Sequence, residues 1–191
     1  MIDRKKFFDV VRSTLFTSTL TQGQVQGIEA ILNEWDDREM EDLRYLAYML
    51  ATTKWETNHT MLPVREAYWL SEEWRKINLR YFPYYGRGFV QLTWEQNYKT
   101  MGRLLGIDLV KYPDKAMELD TATLILFEGM LDAESGVGDF TGKALDEFFN
   151  DKVDDPVGAR KIINGTDHDD AIAVIHYQFL AALKDSDVLS S

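Results

Sequence analysis

The chain contains no cysteine, which excludes a disulfide framework, a thiolate metal site and a cysteine nucleophile. Its three histidines, His59, His168 and His176, include no i, i+4 pair. Nothing therefore sets two imidazoles on one helical face for zinc, and no metal or cofactor is expected. Long apolar runs are also missing. The most apolar stretch, 171–183, is interrupted by His176 and Gln178 and is too short to cross a bilayer, so membrane insertion is not expected. The opening MIDRKKFFDVV lacks the apolar centre of a secretory signal, and synthesis as a soluble cytoplasmic product is the expectation. Prolines number only 4, with no linker, repeat or low-complexity tract, so the 191 residues read as a single domain. Its motifs fall between about 43 and 184, and a tail over 185–191 is expected to fray. Positive charge is in deficit as well. Lys and Arg total 21 against 32 Asp and Glu, a net of -11, which repels a phosphate backbone and argues against nucleic acid as a partner.

What is present is enough for a core: 45% of residues are hydrophobic and 13% aromatic. Apolar spacing reads as helix over most of the chain, giving a mainly α class. Thr21 with Gln24 forms a capping box ahead of a helix over 22–35. A second helix is expected from 42 to 55 or 57. A second capping box, Thr93 with Gln96, opens one that Gly106 closes. Further helices are expected over 120–131, from the Asp155-Pro156 start to 163, and over 169–184. Between 58 and 92 the helical period fails, and short β-type runs such as 88–92 sit among prolines, glycines and aromatics. Irregular segments on a rigid scaffold are where sites tend to lie. This middle stretch is also locally basic. Residues 54–103 carry eight Lys or Arg against five Glu, whereas 1–53 and 104–191 are net acidic. Solvated helix faces of differing sign account for that drift, and a cleft attracting an anionic polymer is the functional alternative.

Two constellations could carry chemistry. Glu56 stands where a helix gives way to loop, and Glu66 follows ten residues later in PVREAYW. The partial negative charge of a helix C-terminus, with apolar cover from Trp55 and Tyr68, opposes ionisation of Glu56 and suits it to act as an acid. Two carboxyls in unlike surroundings are what glycosidic cleavage needs. On spacing alone, the ordinary alternative, carboxylates paired with Arg65 or Arg87, outweighs that reading. The second constellation is YYGRGFVQLTWEQNY, 84–98. Gly86 and Gly88 permit close backbone approach or positive φ around Arg87, while Gln91, Thr93 and Asn97 supply neutral groups suited to sugar hydroxyls and acetamides.

Taken in order, AYMLATTKWET (47–57), MLPVREAYW (61–69), YYGRGFVQLTWEQNY (84–98) and ARKIING (159–165) resemble the motifs of glycoside hydrolase family 19. The resemblance is to the compact bacterial and phage branch that cleaves cell walls. It implies a lysozyme-like helical domain whose irregular loop and short β segment line a substrate cleft, working by inversion and without a cofactor. It further implies Glu56 as general acid, Glu66 as second carboxylate, Thr93 as the hydroxyl that positions water, and Gln91, Asn97 and Asn164 as substrate-binding residues. Tyr85 and Arg87, inside the same motif, complete the candidate set. One departure is Trp55, where the family has histidine before its acid. His59 is a candidate to orient Glu56 instead.

The resulting expectation is a monomeric phage-type endolysin or muramidase that hydrolyses β-1,4 bonds of peptidoglycan. It would be made in the host cytoplasm and reach the wall after a holin opens the membrane. A chitinase acting on neutral polymer is the close alternative. A lytic transglycosylase needs only one acid, and a non-catalytic wall-binding or virion protein could retain the same fold.

Overall fold

The computed structural model describes residues 1–17, 19–131 and 140–188. Among these, seven α-helices are joined by short 3-10 turns and one small antiparallel hairpin. The helices are α1 (Arg4–Thr14), α2 (Gln22–Asp37), α3 (Leu43–Glu56), α4 (Glu72–Asn78), α5 (Glu95–Leu105), α6 (Leu119–Met130) and α7 (Asp169–Ser186). The hairpin pairs β1 (Val64–Arg65) with β2 (Arg87–Gly88), with Val64 opposite Gly88 and Arg65 opposite Arg87. Helix α3 is the centre. Leu46, Ala47, Tyr48, Met49, Leu50 and Ala51 are all fully buried, the pattern of a helix apolar on every side and therefore surrounded. It packs against α7, which also carries α1, while α2 lies between α3 and α6.

Local chemistry explains most boundaries. Asp42 caps α3 by accepting from the Arg44 amide, and the Thr21–Gln24 capping box of α2 forms with both of its bonds. Glu72 and Glu73 in the first turn of α4, with Arg75 and Lys76 in its last, complement the helix dipole, and Ser71 caps it. Helix α4 falls in the stretch expected to be irregular, because two turns are too short to establish a period. Helix α1 was also unforeseen: only Phe7 and Val11 are buried along it.

Four expectations are corrected. The Thr93–Gln96 capping box does not form. Trp94, at φ 75°, is the N-cap of α5, and the Thr93 hydroxyl donates to the Gln91 carbonyl at 2.7 Å. Asp155 accepts from the Gly158 amide at 2.8 Å, but the element that follows is a 3-10 turn, Gly158–Ile162, beginning two residues after the expected first-turn Pro156. Of the run 88–92 only Gly88 lies in a strand, β2; 89–91 form a turn closed by a bridge between Arg87 and Leu92. The C-terminal stretch to Val188 is not frayed: Ser186 is buried, and Ile2 bridges to Asp187. Glu134 and Asp139, for which the sequence gives solvated loop charges as the default expectation, lie outside the described residues, as do 189–191.

Candidate active site

Glu56 is the last residue of α3, and the turn after it is tightly built. The Thr57 hydroxyl donates to Thr53 O at 2.7 Å and accepts from the Met61 amide at 3.0 Å. Asn58, His59 and Met61 take positive φ values of 50°, 68° and 55°, a conformation that non-glycine residues hold only when their surroundings enforce it. Here the enforcement is α2. A Cβ on Gly27 would stand 1.6 Å from Met61 O, so glycine alone lets the turn lie this close. His59 does not orient Glu56. Its Nδ1 meets Lys54 Nζ at 2.5 Å, and partial burial and that cation both push its imidazole below the usual histidine range. Burial likewise lowers Lys54.

The turn leads into β1 and on to Glu66, whose amide donates to Gly86 O at 2.7 Å. Its side chain folds back on the same strand. Glu66 Oε2 accepts from the Gly86 amide at 2.9 Å and Oε1 from the Tyr81 hydroxyl at 2.6 Å. Burial, followed by this bond and the Glu66 charge, pushes the Tyr81 phenol up to about 12. Two donors on one carboxylate hold it in a fixed pose. Buried Arg75 donates to the Glu66 and Ala67 carbonyls, which anchors the α4 lobe under the carboxylate.

Glu56 meets a different partner. Arg160, 2% exposed, donates through Nη1 to Glu56 Oε1 at 2.6 Å and through Nε to Asp167 O at 2.8 Å. Among the described residues Oε2 has no hydrogen-bond partner. The apolar cover expected from Trp55 and Tyr68 is absent: the Trp55 ring lies against His168, at 4.8 Å between centroids, and the Tyr68 hydroxyl accepts from Asn58. A cation therefore faces the carboxylate where an apolar wall was expected.

Both carboxylates line one cavity of about 550 Å³, together with Gln91, Thr93, Asn97 and Asn164. Six of the eight candidate residues thus converge. Gln91 (φ 54°) and Trp94 (φ 75°) bracket Thr93 with left-handed backbone, so the 91–94 turn presents its side chains to the cleft instead of running into α5. Gln91 Nε2 is spent on Val64 O at 2.9 Å, and Asn97 Nδ2 on Thr93 O at 2.9 Å. Their amide oxygens keep acceptor capacity toward a ligand.

Tyr85 and Arg87 are not brought to the cavity. Tyr85 is 1% exposed, with its hydroxyl donating to Glu72. Arg87 is 2% exposed and stacks on the Tyr85 ring at 3.7 Å. It donates to Asp114 Oδ1, to the Pro83 and Tyr85 carbonyls and to the Tyr98 hydroxyl. Burial opposes ionisation of Asp114, but hydrogen bonds from Arg65 and Arg87 outweigh it and hold the carboxyl below the usual range. These groups hold up the hairpin from behind. Arg65 and Arg87, weighed as partners of the cleft carboxylates, both pair with Asp114.

Reasoning from sequence missed Arg160, Trp94, Phe140 and Thr141, the last three of which line the cavity together with Tyr81. Arg160 stood in the quoted ARKIING segment, but nothing local links it to a carboxylate 104 residues away. Among the described residues no cluster of three or more His, Cys, Asp or Glu is arranged to hold a metal ion, and no helix is long and apolar enough to cross a membrane.

The architecture is similar to that of solved family 19 chitinases. Chitinase C from Streptomyces griseus superposes over 100% of this chain and 80% of its own, at 17% identity and a TM-score of 0.59. A bacterial family 19 chitinase superposes over 95% and 94%, at 21% identity and a TM-score of 0.53. Residues 64–131 match the family described as chitinase class I. A rice protein, chitinase 8, is 59% identical over 32 residues, which span 17% of this chain and 12% of the rice protein. The family 19 resemblance read from the motifs is thereby borne out, and the lysozyme-like helical fold with it.

Proposed function

We propose that the protein hydrolyses β-1,4 glycosidic bonds of bacterial cell-wall peptidoglycan, with Glu56 as general acid and Glu66 as general base. The observation that carries this reading is the pair of carboxylates on one cavity, each held by a different kind of partner. As general acid, Glu56 delivers a proton from Oε2 to the glycosidic oxygen as that bond to the anomeric carbon breaks. Arg160, already on Oε1, stabilises the carboxylate this leaves behind. Glu66 takes a proton from water as the water oxygen bonds to the anomeric carbon from the opposite face, which inverts it. Both Glu66 oxygens accept one hydrogen bond, and each retains a lone pair for that proton. The Thr93 hydroxyl hydrogen is committed to Gln91 O, so toward the attacking water Thr93 acts as an acceptor and holds it in place.

The motif likeness to the bacterial and phage branch supports a wall glycan as substrate, and so does the net positive charge of 54–103 within an acidic chain. In that setting the protein is a monomer made in the host cytoplasm, and it meets the wall after a holin opens the membrane. A second reading, hydrolysis of chitin, is favoured by the names of the similar structures. Mass spectrometry of the soluble products from purified peptidoglycan and from chitin, after borohydride reduction of new ends, separates the two. Reducible MurNAc ends from wild type, lost in Glu56→Gln and in Glu66→Gln, are the expected outcome. Anhydro ends would make it a lytic transglycosylase, and saccharide binding without turnover a wall-binding protein.

A further inference from the structure

Glu56 and Glu66 are the ionisable carboxyls in the cavity wall, and among the described residues no Lys or Arg lines it. A glycan bearing lactyl or peptide carboxylates would meet acidic groups and no lining cation there, so a preference for such a polymer requires a cation at the rim. Half of the eight cations of the basic middle stretch are committed elsewhere. Arg65 and Arg87 pair with Asp114, Arg75 with Glu72, and Lys54 meets His59. Arg80 is different. It is exposed, and among the described residues it has neither a carboxylate within 4.0 Å nor a hydrogen-bond acceptor.

Its guanidinium is nonetheless held in place. It lies 5.1 Å from the centroid of the Trp94 ring, and Trp94 is itself part of the cavity wall. Of the aromatic rings that carry a cation among the described residues, Trp94 alone lines the cavity. Next in sequence, Tyr81 meets the same indole edge-on at 4.9 Å and holds Glu66. The cation–π shelf thus sits on the Glu66 side of the cleft and presents a planar, preorganised fork to solvent.

We propose that Arg80 is the carboxylate-recognition residue of the cleft: its guanidinium, shelved on Trp94, pairs with a carboxylate carried on the glycan and selects anionic wall polymer over neutral chitin. This rests on the reading of Glu56 and Glu66 as a glycosidase pair. Arginine suits the task because its fork meets both oxygens of a carboxylate at once.

The test compares Arg80→Gln and Arg80→Glu with wild type on three substrates: glycan strands from purified peptidoglycan, the same strands with carboxyls blocked as amides, and N-acetylglucosamine hexamer. For the unblocked strands KM should rise about tenfold in Arg80→Gln, as expected for one lost charge-assisted hydrogen-bonded contact. The rise should be larger in Arg80→Glu, with kcat within about twofold. KM for the blocked strands and for the hexamer should not change, and added salt should shrink the difference. Equal effects on charged and neutral substrates, or no effect on the charged one, overturn the proposal. Binding of the same substrates to Glu56→Gln, followed by tryptophan fluorescence with and without Arg80→Gln, gives an arm that needs no turnover. A charge-selective loss of binding there supports Arg80 even if wild type proves inactive, and an unselective result rejects it even if wild type is active.

Discussion

Acidification should destabilise the protein at the packed pair of helices α3 and α7. His176 lies on α7 with no exposed surface, stacked on Phe149 at 5.2 Å and against Tyr48 of α3 at 5.8 Å. Neither of its ring nitrogens has a hydrogen-bond partner among the described residues. Burial pushes the imidazole down from the usual 6.5 to about 4, with Arg44 and Lys184 acting in the same direction and Asp42 against it. The unfolded chain therefore takes up a proton near pH 6.5 that the folded chain refuses until about pH 4. Above about pH 7 both forms are neutral and nothing is lost. As pH falls through 6.5 the unfolded state is favoured, by about 2 kcal/mol at pH 5 and about 3 kcal/mol at pH 4. That is a large share of the ~5–15 kcal/mol that holds a domain of this size. Urea unfolding of wild type and His176→Phe at intervals from pH 7 to pH 5 measures it. Wild type should lose about 2 kcal/mol more than the variant over that range. His59, also lowered, is common to both and cancels. Asp42 and Asp114, held low by their arginines, lose their contribution only below this window. Parallel pH curves for the two proteins would refute the argument that His176 is buried neutral.

Three further outcomes are expected. Arg160→Met should lower turnover at least tenfold and cost about 2 kcal/mol in urea unfolding, below the usual figure for a broken buried pair because the cavity can hydrate Glu56; adding Glu56→Gln should restore part of the stability and none of the activity. Gly27→Ala drives a Cβ into the Met61 carbonyl, and calorimetry should show a loss of about 3 kcal/mol, with activity falling because the displaced turn is the one that follows Glu56. Tyr48→Phe removes a buried hydroxyl that has no partner among the described residues, so stability should hold or rise by up to about 1 kcal/mol; a drop of more than about 1 kcal/mol would reveal a bonded partner such as a buried water.

Elements whose signals lie within one or two turns were legible before any coordinates. The Thr21 capping box, the three- and four-residue apolar spacing of α3 and the long pattern of α7 each predicted a helix to within a few residues. Their hydrogen bonds and buried faces are encoded locally. Helices α1 and α4 escaped because their stability comes from what they pack on and how they are capped, not from a repeating apolar face. The motif order also placed six of the eight candidate residues on one cavity.

The contrast between the two T-x-x-Q patterns shows where local reading ends. Thr21 caps its helix, whereas Thr93 turns its hydroxyl to Gln91 O because the backbone at Gln91 and Trp94 is left-handed. Arg87 looks like a surface arginine between two glycines, yet Asp114, brought alongside by a distant 3-10 turn, draws it into the interior. Arg160 reaches Glu56 only once α3 and the 3-10 turn before α7 are packed together. The chain thus wrote its helices, its caps and the two carboxylates in local terms. Which charges face one another, and which face of the hairpin meets the cleft, depended on segments far apart in sequence, because a charge's partner is set by proximity in space.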